Sequence, residues 1–206
     1  MEAEIIDLTE SFSPDDYVIN IIRRAVSNSQ NILIDNPSHG RVIVLGNTGE
    51  YYTDLENLQS FCQLPSNSFK VTVLNEEKTD RYKTSIGRNI DELLWMSGFY
   101  ASEGRLIEGG KWDDVLELCH WPNFTRIPMS INFLRIASLL SRSATSIEHV
   151  IVTLKIPRNE VYQFYCAAHC SGVIQVNNDT SLSRPVLKPH RNNALLSILL
   201  KKIASL

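Results

Sequence analysis

Apolar side chains in the second half of the chain recur at the spacing of an α-helix. Between residues 131 and 142 only a narrow polar stripe interrupts them, formed by Asn132, Arg135, Ser138 and Arg142. A helix that is apolar around most of its circumference is buried on most sides. Residues 143–146 then break the pattern, and Thr145 or Ser146 is placed to cap a second helix.

Two further helices follow with a shared spacing. The apolar positions that carry it are Ile147, Val150, Ile151 and Leu154 in the second helix, and Val161, Phe164, Tyr165 and Ala168 in the third. These positions follow the i, i+3, i+4, i+7 pattern of one helix face. Pro157 separates the two helices, Gly172 ends the third, and residues 173–176 are predicted to form a strand. Helix, turn, helix and strand in this order are typical of a helix-turn-helix with a wing.

The first half of the chain mixes short strands with helices. Ser13 and Pro14 predict the start of a helix that runs to about Val26. Strands are predicted at residues 31–34, 41–45, 50–53, 69–74 and 105–107, and further helices at 54–62, 89–101 and 113–118. The fold class is therefore α+β: a small mixed domain, then a helical module and an apolar C-terminal helix.

The helical module resembles the winged-helix superfamily. The matching pattern is Ile151-x-x-Leu154-x-Ile156-Pro157-x-x-Glu160-Val161-x-x-Phe164-x-x-x-Ala168-x-x-x-Gly172-Val173-Ile174. Most of these residues are core or cap residues, so the resemblance implies the fold of residues 131–176 more strongly than a function. Winged helices serve both as DNA readers and as protein-docking modules, and both functions stay open.

If the module binds DNA, exposed residues at the start of the third helix would face the base edges. They are Arg158, Asn159, Glu160, Tyr162, Gln163 and Cys166. Arg184, Lys188 and Arg191, which follow the strand, would add cations. The helix itself carries one Arg beside one Glu, whereas DNA binding usually uses about six or more phosphate contacts. The same positions are the candidate contacts for a protein partner.

A second resemblance lies in the first half. Residues 89–98, Asn-Ile-Asp-Glu-Leu-Leu-Trp-Met-Ser-Gly, followed by Ser-Glu-Gly-Arg-Leu at 102–106, are similar to the helix-then-strand unit of PATAN-type regulatory domains. Those domains act in bacterial signalling by binding partners. The resemblance implies a signalling role through protein–protein interaction, and it implies no catalytic residues.

The charge of the chain is divided between its two halves. Residues 1–118 carry 10 Lys and Arg against 20 Asp and Glu, a net charge of −10, and residues 119–206 carry a net charge of +7. This division suggests two domains, an acidic regulatory domain at 1–118 and a basic winged-helix module at 119–206. The basic half either docks on the acidic half or meets an external anionic surface.

Several classes of function lack their sequence signatures. The acidic N-terminus and the absence of a long apolar run predict a cytoplasmic protein without a membrane partner. Glu50 follows Gly49 where a phosphate-binding loop needs Lys, which favours a hairpin turn. Cys166, His169 and Cys170, with Cys119 and His120, could in principle hold zinc, but the spacing favours buried thiols. No catalytic set and no cofactor are predicted.

Two surfaces are predicted to contact partners. Trp112 lies between Lys111 and Asp113, which makes it a candidate anchor for a protein partner. Trp95 and Trp121 are expected to be packed inside. The apolar helix at 193–205 packs between the halves or forms a homodimer contact. The preferred interpretation is a non-enzymatic bacterial regulatory adaptor with the winged helix as docking module, and the alternative is a DNA-binding transcriptional regulator.

Overall fold

The computed structural model describes residues 11–75, 79 and 86–178, and these residues form a mixed α+β structure, as predicted. The helices are α1 (Val18–Ser27), α2 (Gln59–Gln63), α3 (Ile90–Ser102), α4 (Ile131–Leu140), α5 (Ile147–Leu154) and α6 (Arg158–Cys170). The strands are β1 (Ser11–Phe12), β2 (Asn31–Asn36), β3 (Gly40–Leu45), β4 (Glu50–Thr53), β5 (Lys70–Val73), β6 (Arg88–Asn89), β7 (Leu106–Ile107), β8 (Val115–Leu118), β9 (Thr145–Ser146) and β10 (Ile174–Val176). The predicted helix at 193–205 lies outside the described residues. Each described helix is too short or too polar to cross a lipid bilayer.

The first half is built on an antiparallel sheet with the strand order β5-β2-β3-β4-β6. In β2 every second side chain is buried, and Ile32 and Ile34 join one core with residues of α1 and α3. Strands that alternate in this way have one face on a core, so both helices lie on the same face of the sheet. The predicted hairpin between β3 and β4 is confirmed, with its turn closed by the N–H of Gly49 donating to the Leu45 carbonyl.

The first helix begins later than predicted. Pro14–Asp16 forms a single 3₁₀ turn, and α1 starts at Val18 after an extended Tyr17. The Ser13 side chain makes no capping hydrogen bond. Tyr17 instead bridges to Pro65, so a contact distant in sequence breaks the helix that the local signals would continue.

Residues 113–118 were predicted to be helical, and this was wrong. Val115–Leu118 is the central strand β8 of a second antiparallel sheet with the order β10-β8-β9. β8 pairs with β10 on one side and with Thr145–Ser146 on the other. These two non-local pairings override a weak local preference. They also place β8 beside the helix-turn-helix segment, residues 131–170. The predicted domain boundary after residue 118 stays a prediction.

The helix-turn-helix segment has the elements that the periodicity predicted. Ser146 caps α5, because its hydroxyl accepts a hydrogen bond from the His149 N–H. Lys155 then adopts a left-handed conformation, with φ of 52°, and ends the helix. Pro157 precedes α6, which runs to Cys170 before the turn at Gly172. One compact turn therefore separates α5 from α6.

Helix α3 belongs to both cores of the molecule. Its Leu93 joins the core of the first sheet, whereas Trp95 joins the core of the helix-turn-helix segment. Trp95 is 1% exposed and makes edge-to-face contacts with Phe124, Phe133 and Phe164. Edge-to-face aromatic pairs of this kind stabilise a core beyond the area they bury. Helix α3 thus links the two halves of the chain, and Ile19 of α1 reaches the second core as well.

Candidate functional site

Among the residues of α6 that were predicted to contact a ligand, only those at the start of the helix are exposed to solvent. Arg158 and Asn159 are exposed. Tyr162 is 6% exposed and Cys166 is fully buried, so the expectation that both face outward was wrong. Gln163 is half-buried, and its amide donates to the Phe99 carbonyl of α3 at 3.3 Å. These three side chains are therefore packing residues.

Helix α3, from the acidic half of the chain, packs against α6 and covers part of its surface. Gly98 lies against α6 so closely that a Cβ there would stand 2.6 Å from the Cys166 carbonyl oxygen and 2.9 Å from the Cys170 sulfur. Only glycine permits this approach of two helix backbones. The Cys166 thiol also donates to the Arg105 carbonyl just beyond α3. Insertion of α6 beyond its first turn into a DNA groove would require α3 to separate from it.

Cations around the helix-turn-helix segment are only partly available for an external ligand. Arg135 donates to Asn132 and to the Leu154 carbonyl at the end of α5, 2.6 Å away, and so acts as a cap for that helix. Arg142, Lys155 and Arg158 are exposed. Arg184, Lys188 and Arg191 lie outside the described residues.

Two tryptophans lie on the surface. Trp112 is 48% exposed, in keeping with its role as a candidate partner anchor, and its carbonyl accepts from the Glu148 N–H at the start of α5. Trp121 is 53% exposed, so the expectation that it is packed inside was wrong. It lies in the segment between β8 and α4.

A buried carboxylate joins the two halves of the chain electrostatically. The Glu92 side chain is 7% exposed and lies 3.1 Å from Arg88 Nη2 and 3.8 Å from Arg126 Nη1. Arg88 also stacks over the ring of Tyr51, 5.2 Å from its centroid. Burial raises the pKa of Tyr51, whose hydroxyl has no hydrogen-bond partner among the described residues. Arg126, from the second half of the chain, thus lies beside α3 at the edge of this cluster.

The cysteines are thiols with very different surroundings. Burial raises the pKa of Cys62 to about 12 and that of Cys170 to about 11, and it also raises the pKa of Cys166. Cys119 is exposed. Within the described part of the chain, no group of three His, Cys, Asp or Glu side chains is arranged to hold a metal ion. Cys166 and Cys170 are small buried core residues, as expected, whereas the same expectation for Cys119 was wrong.

An apolar groove between α1 and the edge strand β5 was missed by the sequence reasoning. Val71 and Val73 are 45% and 61% exposed, although their cross-strand partners Ile34 and Ile32 are buried. Ile21 and Ala25 of α1 form the opposite wall. Helix α1 packs over β2 and β3 but not over β5, and this leaves a cavity of about 250 Å³ between the helix and β5.

The groove continues along α1 and contains one cation, Arg24, that has no ion partner among the described residues. A second cavity of about 300 Å³, lined by Asp15, Asn20, Ser66 and Asn67, adjoins the first and shares Ile21 and Arg24 with it. Arg24 is exposed, and none of the described residues forms an ion pair with it. The alternation of Val71 and Val73 was visible in the sequence, but the position of β5 at the sheet edge was not.

Comparison with models of known protein families, with curated proteins and with solved structures finds no match to this chain. The function is therefore inferred from the geometry and charge of the surfaces described above.

Proposed function

We propose that this protein is a non-enzymatic regulatory adaptor that acts through protein–protein interaction. The observation that carries the proposal is the packing of α6 on α3. In a DNA reader of the winged-helix type the face of the third helix must be free. Here Tyr162 and Cys166 are buried and Gln163 is bonded to Phe99. Under this proposal the resemblance to winged helices reflects a packing module that supports a protein-binding surface.

The surfaces that stay open favour a protein partner over a nucleic acid. An exposed aromatic such as Trp112 is a residue type enriched at protein interfaces. The groove between α1 and β5 is mostly apolar and carries one cation, Arg24, whereas a nucleic-acid surface needs several cations to neutralise phosphates. The Arg135 guanidinium already donates a hydrogen bond to the Leu154 carbonyl at the end of α5, so it is less available to a phosphate.

The adaptor proposal is tested by measuring both kinds of binding with the full chain. Fluorescence anisotropy with fragments of genomic DNA at about 150 mM salt is expected to give micromolar or weaker affinity without sequence preference. A protein captured from cell extract, then purified and titrated by calorimetry, is expected to bind the wild type and Arg158→Ala equally. Sequence-specific nanomolar DNA binding that is lost in Arg158→Ala would show a transcriptional regulator instead.

A further inference from the structure

We propose that the groove between α1 and β5 binds an extended, acidic and apolar peptide segment of a partner protein, which adds to the sheet as a sixth strand. This inference rests on the proposed function and names the docking surface and the class of ligand. β5 is at the edge of the sheet order β5-β2-β3-β4-β6, and no described residue pairs with its outer side. An open sheet edge is the template on which extended peptides bind by strand addition.

The direction of the backbone groups on β5 follows from its register. The N–H of Leu74 donates to the Asn31 carbonyl at 2.8 Å, toward β2. In an antiparallel pair the hydrogen-bonding groups of successive residues point to alternate sides. Val71 and Val73 pair with Ile34 and Ile32 at the intervening positions, so their N–H and C=O groups point to the outer edge. An added strand finds donors and acceptors at both residues.

The side chains of the same two residues form the apolar floor of the groove. Val71 and Val73 lie on the face of the sheet toward α1, and Ile21 and Ala25 lie across from them. Side chains two apart on an added strand would enter this groove, since alternate residues of a strand share a face. Apolar residues at those alternate positions would cover the exposed valines and contribute most of the affinity.

Charge specifies the remaining preference and disfavours pairing with the β5 strand of a second copy. Arg24 is the single charged residue that lines the first cavity, beside Val71 and Val73, whereas the second cavity also contains Asp15. An Asp or Glu next to the apolar positions at the first cavity would therefore pair with Arg24. A second copy offering its own β5 would bring Lys70, Val71, Thr72 and Val73, which contain no carboxylate. The complement to the groove is therefore a partner segment in which apolar and acidic residues alternate.

The test uses the full chain and two sets of fluorescein-labelled ten-residue peptides with the same alternating apolar positions. One set has Asp and Glu between them, and the other has Lys. The acidic set is expected to bind at least about tenfold more tightly, as expected for a well-placed charge pair. Arg24→Glu should reverse this preference, and the exposed charge reversal Arg142→Glu, which lies outside the groove, should leave it unchanged. Equal binding of the two sets would overturn the inference.

A second pair of variants tests strand addition itself. Val73→Ala and Val73→Pro both remove the valine, but only proline also removes the outward N–H donor. Proline is tolerated at an edge position whose N–H faces outward. We expect Val73→Pro to bind the acidic peptides about threefold to tenfold more weakly than Val73→Ala, the cost of one hydrogen bond. If Val73→Pro binds the acidic peptides as tightly as Val73→Ala does, strand addition is overturned. If the proline variant misfolds, the reversal of peptide preference expected for Arg24→Glu still tests the groove.

Two further results separate this inference from the adaptor function. A purified protein partner that binds wild type, Arg24→Glu and Val73→Pro equally would retain the adaptor function and overturn the groove as its docking surface. Sedimentation of the wild type as a dimer and of Val73→Pro as a monomer would show that a second copy occupies the edge, which also overturns the inference.

Discussion

The hydroxyl of Tyr165 in α6 donates to the Asp114 carboxylate, 3.2 Å away, and this hydrogen bond connects α6 to the turn before β8. Asp114 also accepts from the Lys111 N–H and from the Asn178 amide. The carboxylate is 4% exposed, and burial together with its negative charge raises the pKa of Tyr165. The adjacent acid Asp113 is exposed, so the two neighbouring carboxylates have opposite surroundings.

Replacement of Asp114 by alanine is expected to destabilise the protein by about 1–3 kcal/mol, because the buried Tyr165 hydroxyl and two donors nearer the surface lose their acceptor. The matched control is Asp113→Ala, which removes the neighbouring exposed carboxylate and should change the free energy of unfolding by less than about 0.5 kcal/mol. Urea unfolding followed by circular dichroism measures both values. Equal effects of the two substitutions would contradict the role given to Asp114.

The tryptophans provide a second matched pair. Trp95→Ala should cost about 3–5 kcal/mol, since it removes the ring between Phe124, Phe133 and Phe164 and leaves a cavity. Trp121→Ala should cost about 1 kcal/mol or less, because roughly half of that side chain is already in water. Thermal unfolding of the two variants at matched concentration compares them, and a Trp121 cost as large as that of Trp95 would contradict its surface position.

Stability is expected to fall at alkaline pH. The pKa of Cys62 rises from 9.0 to about 12 on folding, so the unfolded chain loses this proton first. Its contribution is complete below about pH 9 and is lost as the pH rises toward 12, and the raised pKa of Cys170 acts in the same direction. Urea unfolding between pH 8 and pH 11 should therefore show a decline. Cys62→Ala should flatten the decline, whereas substitution of the exposed Cys119 should leave it unchanged.

The Glu92 cluster can be divided by double-mutant cycles. Arg88 makes two short contacts with Glu92, at 3.1 Å through both Nε and Nη2, whereas Arg126 is 3.8 Å away and 57% exposed. We expect a coupling energy of about 1–2 kcal/mol for Glu92 with Arg88 and less than about 0.5 kcal/mol for Glu92 with Arg126. Glutamine substitutions at the three positions provide both cycles. A larger coupling to Arg126 would contradict this order.

Regular elements with strong local signals were predictable from the sequence. The hairpin of β3 and β4 and the five longer helices, α1, α3, α4, α5 and α6, were identified from apolar spacing, caps and glycines, although α1 begins later than predicted. The strand β8 was missed because its four residues, Val115–Leu118, have no pattern of their own and are held by pairing with β10 and β9. Elements defined by non-local pairing carry little local information.

The candidate surfaces were less predictable than the elements. Arg158 and Asn159 were rightly expected to be exposed, but the packing of α3 against Gln163 and Cys166 depends on Gly98, whose role appears only when two distant helices meet. The groove between α1 and β5 likewise depends on elements that are distant in the sequence. Val73 reads as an ordinary strand residue, and its exposure follows from the end of a sheet and the reach of α1.

The position of α3 between both cores has a consequence for the behaviour of the chain as a whole. A fragment cut after residue 118 would keep α3 but expose the Trp95 ring and the Gly98 surface to water. The remaining fragment would lose both that helix and the central strand of its sheet. Neither piece would retain a complete interior, so the protein should melt in a single cooperative step, and a ligand bound at one end should raise the melting temperature of the other.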